Sequence, residues 1–230
     1  AQGTLDGSFK VKTIKINGQD FKLVELRDTD GTLRQTQIVD PNSLLGETLF
    51  QIQEIDGKSY VVSPLTKIGQ TVRGQLLQSN ADGTFSLNPS SLAPSRVTFE
   101  AVDSQGRRLL KIETLDLSTE AVLATQQEIQ SARGQRLFLV STLPDGSRVA
   151  TPPLGALGTT VRGTVLTVTG TSFTVTTTPV VDVTFTAQDA SGNRLLTIQP
   201  LTATGAARGA PIQEIQSARG QRLFLVSTLP

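Results

Sequence analysis

The sequence predicts an all-β fold, built as tandem small β-sandwich or β-barrel modules with little or no helix. Three observations carry this. Apolar residues alternate with polar ones at a period of two. Turn-forming pairs with glycine interrupt the alternation at short intervals. Long stretches of the pattern recur along the chain.

The first element is a hairpin. Phe9, Val11, Ile14 and Ile16 flank Lys10, Lys12 and Lys15, and after Asn17-Gly18 the run resumes at Phe21, Leu23 and Val24. Asn-Gly between alternating runs signals a tight hairpin, because both residues tolerate positive φ. The same chemistry places turns at Asp30-Gly31, Asp56-Gly57, Asp82-Gly83, Gly106 and Gly192. The stretch 159–188 is dense in Thr and Val, whose branched side chains suit a pleated surface. Strands of about five to nine residues follow from this spacing. Two places invite irregularity. Ser118–Thr125 has the composition of a short helix, whereas 204–210 before Pro211 reads as a loop. Asp40–Ser43 opens a loop or a helical turn, and Pro144–Pro153 reads as a semi-rigid linker.

The strongest regularity is a repeat. Gln127–Pro144 and Gln213–Pro230 both read QEIQSARGQRLFLVSTLP, identical at 18 positions with an offset of 86. Upstream, 97–115 and 183–201 agree at 11 of 19 positions. Thr71-Val72-Arg73-Gly74 returns as Thr160-Val161-Arg162-Gly163. A more diverged copy precedes both: Gln53-Glu54-Ile55 aligns with Gln127-Glu128-Ile129, and Tyr60–Ser63 with Phe138–Ser141. Three modules result, 1–66, 67–149 and 150–230.

Composition narrows the function. The chain of 230 residues carries 21 Lys+Arg against 20 Asp+Glu, so it lacks the basic excess of a nucleic-acid binder. It has no Cys, His, Met or Trp. The usual general base, the thiol nucleophile and the common zinc and copper ligands are therefore missing, and the expectation is a non-enzyme without cofactors. No apolar run approaches the ~18 residues of a membrane span. The sequence opens on Ala1 rather than Met, which favours a mature form released from a signal peptide.

Few residues offer chemistry. Asp28 and Asp30 in Arg27–Gly31 have the start of a calcium loop but lack its further oxygen ligands, and a hairpin turn is the favoured reading. Glu100 and Glu113 are candidates for a glycosidase pair, but Thr186 and Gln199 replace them in the next copy, which favours a surface role. Lys10, Lys12 and Lys15 form a basic face. It suits either an anionic polymer or, preferentially, protection of an exposed edge. With one Tyr and no Trp, an aromatic platform for sugars is disfavoured.

In organisation, the array resembles bacterial extracellular surface proteins and fibre subunits built from tandem β-sandwiches. Gly163–Val175 also looks like the opening hairpin of small secreted β-barrel domains of bacterial envelope proteins. The resemblance implies a secreted or cell-surface structural protein. Such a subunit would assemble into a homo-oligomer or homopolymer, as a filament or surface layer, with possible polysaccharide contact. Strand exchange between subunits is the expected contact. Its candidate donor lies in 1–16, with Phe9, Val11, Ile14 and Ile16 as the assembly residues. A monomeric adhesin or binding module and a phage virion structural protein are the alternatives. An intramolecular Lys–Asn cross-link is a further possibility for such fibres.

Overall fold

The computed structural model describes residues 8–27, 33–42, 48–132, 134–217 and 222–226. These are all-β, without a helix, and hold sixteen strands in one continuous sheet whose spatial order is the order in sequence. The strands are β1 (Ser8–Ile16), β2 (Gln19–Arg27), β3 (Leu33–Val39), β4 (Thr48–Ile55), β5 (Lys58–Val62), β6 (Thr71–Ser79), β7 (Phe85–Val102) and β8 (Arg108–Leu115). They continue as β9 (Val122–Gln130), β10 (Arg136–Thr142), β11 (Arg148–Thr151), β12 (Thr160–Thr169), β13 (Ser172–Gln188), β14 (Arg194–Pro200), β15 (Ile212–Gln216) and β16 (Arg222–Val226). Sequential pairs are antiparallel, as short hairpin connections require.

The turn signals are accurate where they are described. At Asn17-Gly18 and Asp56-Gly57 both residues have positive φ (48° and 81°, 51° and 74°), the conformation that matches the twist of two adjoining strands. A second form recurs at 80–84, 103–107, 131–135, 143–147 and 189–193. In each, a glycine at the fourth position donates to the first carbonyl, and the first and fifth residues close the loop. A single capped turn stands where a short helix over 118–125 was expected, and the left-handed residue after it ends it. The Asp116 carboxylate accepts from the amides of Ser118 (2.8 Å) and Thr119 (2.9 Å), and Glu120 then turns left-handed at φ 59°. The chain is thereby released into β9 after one turn.

Two strands, of 18 and 17 residues, exceed the expected length. Each is long because it belongs to two ladders in succession. Phe85–Asn88 of β7 pair with one part of β6, and Leu92–Thr98 pair with another, with register shifts around Gly74. β12 and β13 repeat the arrangement, with shifts around Thr164. The motif glycine is needed here for space. A Cβ on Gly163 would lie 2.7 Å from Val181 and from Thr151 and 2.8 Å from Val149; on Gly74 it would lie 2.8 Å from the Tyr60 Cβ. The motif arginine is structural too. Arg162 makes a bidentate pair with Asp182 (2.8 and 2.9 Å), and Arg73 donates to the Ala93 carbonyl at 2.8 Å and to Glu120 at 2.5 Å.

Parallel contacts at strand ends close the sheet on itself. Ile16 meets Phe85, so β1 to the start of β7 form a closed ring of strands. Val102 meets Ser172, closing a second ring from the end of β7 to the start of β13. The remainder of β13 continues through β14 and β15 to β16.

The chain divides into two compact units, residues 1–100 with 110–125 and residues 101–109 with 126–230. The first is centred on Ile14, Ile16, Leu23, Ile38, Val61 and Leu77. The second is centred on Ala101, Leu109, Ile129, Val140, Ala150, Leu166 and Phe173.

The expected boundaries at 66/67 and 149/150 fall within paired parts of the sheet. The second boundary falls inside β11, whose Val149 and Ala150 are buried, and the presumed linker 144–153 is mostly that strand and its turn. The first boundary separates β5 from β6, which pair with each other. The exact copy marks only part of the repeating unit, so it sets the period correctly and the phase wrongly. The first copy also aligns differently. Tyr60 and Val61 stand in β5, the counterpart of β11 with Val149 and Ala150, and Gln53–Ile55 stand in β4, the counterpart of β10.

Two expectations test this account. Gly163→Ala places a methyl group against packed side chains and should cost about 1–3 kcal/mol, the range for overpacking, read as a lower urea midpoint. The second concerns acid. Asp116 is pulled from the usual 3.8 down to about 2, first by the Ser118 hydroxyl and then by the Thr119 and Ser118 amides. Asp82, Asp145 and Asp189 are lowered in the same way by Thr84, Ser147 and Asn193. Depressed carboxylates contribute stability that is complete above 3.8 and is lost as pH falls toward about 2. Urea midpoints measured across that window should fall, and less steeply in Asp116→Asn.

Candidate functional site: the two ends of the sheet

A sheet with strand order β1 to β16 has two ends. At the first, β1 pairs with β2 over all nine of its residues, and on its other side meets β7 only at Ile16. The residues expected to assemble are divided by this geometry. Ile14 and Ile16 are buried in the core of their own unit, opposite Phe21 and Gln19 of β2. Val11 is 49% exposed, and the Phe9 side chain lies outside the described residues. Donating β1 to another subunit would therefore open the core that Ile14 and Ile16 complete. The lysines do not share one face. Lys10 and Lys12 alternate with Val11 and fall on the face of Ile14, and Lys15 lies on the opposite face, 3.2 Å from Asp20. Lys10 stands across from Glu25, and Lys12 from Leu23.

The other end is the identical hairpin. Because its sequence occurs twice, the chain shows one segment in two settings. The register is the same in both. Phe138 opposes Ile129 and Leu139 opposes Glu128; Phe224 opposes Ile215 and Leu225 opposes Glu214, with the same bulge beside the arginine. The ladder is thus dictated locally. The surroundings differ. β10 pairs on its far side with β11, through Leu139↔Thr151 to Thr142↔Arg148. β16 has no strand on its far side among the described residues. Ile129 is fully buried while Ile215 is half-buried. Phe138 is half-buried under Arg107, whose guanidinium sits 5.7 Å from the ring centre. Phe224 is 66% exposed and Leu225 62%, and Leu223 and Ile212 are exposed as well.

The hairpin also carries a buried carboxylate. Glu128 accepts from Arg136 at 2.6 Å and from Gln130 at 2.5 Å, all three on one face because Gln130 opposes Arg136. In the second copy Glu214 is equally buried and accepts from Gln216 at 2.6 Å. The buried Glu128 carboxylate is thereby satisfied beside the turn, by an arginine whose own side chain is 47% exposed.

Other sequence candidates place as follows. Asp28 and Asp30 lie outside the described residues. No cluster of three metal-ligating side chains occurs among the described residues. Glu113 accepts from Arg96 at 2.7 Å, with Lys111 at 3.9 Å, and the Arg96 hydrogen bond holds its carboxyl below the usual range. A glycosidase acid needs the opposite shift. No helix among the described residues is long and apolar enough to cross a membrane. No family model matches the sequence, and no curated protein is significantly similar to it.

A buried position of the first copy and an exposed one of the second should respond differently. Ile129→Ala should cost about 2–5 kcal/mol, as for a fully buried aliphatic, while Phe224→Ala in the isolated chain should stay within about 0.5 kcal/mol. Chemical denaturation of both variants checks the contrast.

Proposed function

We propose that this protein is an extracellular structural subunit that self-assembles, as a filament or surface-layer component, through β-strand contacts between subunits. One observation carries the reading. A hairpin whose inner face and edge are covered in one copy recurs, unchanged in sequence and register, with Leu223, Phe224 and Leu225 open to solvent. Exposed apolar side chains on an unpaired edge strand promote association. The repetitive sheet supports the same reading, since a repeated scaffold with satisfied ion pairs and closed turns suits a structural part. The charged pairs Arg73–Glu120, Arg96–Glu113, Arg162–Asp182 and Arg136–Glu128 each link strands or turns.

Sedimentation velocity and negative-stain electron microscopy test this. The purified chain should show concentration-dependent association and form regular assemblies at high concentration. A chain that stays monomeric at high concentration and yields no ordered assembly would overturn the proposal.

A further inference from the structure

We propose that Thr177 and Thr178, in the middle of β13, are acceptors for O-linked sugars. The inference rests on the extracellular placement in the reading above, and not on self-assembly.

The way β13 changes ladders sets this segment apart. Val175 pairs with Leu166 and Pro179 with Thr164, so 176–178 stand opposite the single residue Val165. On the other side the ladder with β14 starts only at Val181, and the contact with β7 is at Ser172. Thr176, Thr177 and Thr178 therefore belong to no ladder among the described residues, although strand flanks them on both sides. The first repeat builds the same feature from different residues. Leu76 pairs with Asn88 and Gln75 with Leu92, which leaves Pro89-Ser90-Ser91 without a partner in β6. Both repeats thus place hydroxyls beside a proline at this bulge.

These hydroxyls differ from the other threonines of the sheet. Thr160 and Thr184 are hydrogen-bonded to each other at 2.7 Å, Thr186 and Thr197 at 2.8 Å, and Thr71 and Thr98 at 2.8 Å. At the bulge, the Thr176 hydroxyl accepts from the Thr178 amide at 3.2 Å. Thr177 and Thr178 are exposed, and their hydroxyls make no hydrogen bond among the described residues. Pro179 has no amide to donate to a neighbour and keeps Thr178 extended. A modifying enzyme must reach the hydroxyl and grip the backbone around it. That backbone is free here and engaged in the ladders. Threonine-rich stretches beside proline have the composition of O-glycosylated segments. In the transfer, the threonine oxygen attacks the anomeric carbon of a sugar phosphate donor. The new carbon–oxygen bond replaces the bond to phosphate, the phosphate leaves with the electron pair, and the hydroxyl proton passes to a base of the transferase.

Native protein recovered from outside the cell tests this. Trypsin releases the segment as one peptide, 163–194, since no Lys or Arg lies between Arg162 and Arg194. Its mass should exceed that of its sequence by whole sugar residues, and electron-transfer fragmentation should place them on Thr177 or Thr178. Thr167, Thr169, Ser172 and Thr174, exposed but paired in the same peptide, should be bare. With Thr177→Val and Thr178→Val combined, the added mass should be lost, while circular dichroism and thermal unfolding stay as in the parent.

A peptide of plain mass, in protein recovered outside the cell, overturns the inference and leaves the extracellular reading standing. Sugar confined to the paired residues, sugar retained in the double variant, or phosphate in place of sugar overturns it too. Protein found only inside the cell removes the extracellular placement, and the inference with it.

Discussion

The crowding at two glycines is the constraint on which the architecture depends. At Gly74 and Gly163 the backbone of one strand approaches its neighbours so closely that a single methyl group would overlap Tyr60 in one case and Val149 and Val181 in the other. The register slips at those points, and the partner strand goes on to a second ladder. Two consequences follow. β7 and β13 can each finish one ring and begin the next stretch of sheet, and no linker is needed between repeats. The arginine preceding each glycine then secures the bend from the side, through Glu120 and the Ala93 carbonyl in one repeat and Asp182 in the other. Thr-Val-Arg-Gly is the part of the repeat where sequence, geometry and electrostatics coincide.

Much of the fold is legible in the sequence because its signals are local. Asn17-Gly18 and Asp56-Gly57 specify their turns through φ alone, and the alternation at Ile14 and Ile16 identifies buried positions without reference to anything distant. The phase of the repeat is not local. An exact copy draws the eye to Gln127–Pro144, but rings close through Ile16 with Phe85 and Val102 with Ser172, pairings separated by about 70 residues in each case. Nothing in the flanking residues announces these contacts. The 149/150 division therefore cut through a buried strand. Ser118–Thr125 misled for another reason. Its composition suits a helix, and Asp116 caps a first turn as at a helix N-terminus, but Glu120 turns left-handed at φ 59° and ends it there.

The elements of the candidate site were legible in the sequence. The β1 residues Ile14 and Ile16 carry an apolar alternation, and that alternation contributes to the chain's own core. The exposed apolar residues Leu223 to Leu225 sit in the duplicated segment. Their exposure cannot be inferred from composition, since Leu137 to Leu139 are the same residues and are half-buried. Only the presence or absence of a neighbouring strand separates the two.

The duplicated hairpin has a further meaning for how the chain acquires its structure. The second ring cannot close until Ser172 has been made, because its closing contact is with Val102. Before β11 has been made, β10 has no strand on its far side, and among the described residues none lies on the far side of β16 either. In that setting the last hairpin keeps its register, its bulge and its buried carboxylate. The register of each hairpin is therefore set by contacts close in sequence, the kind that form fastest.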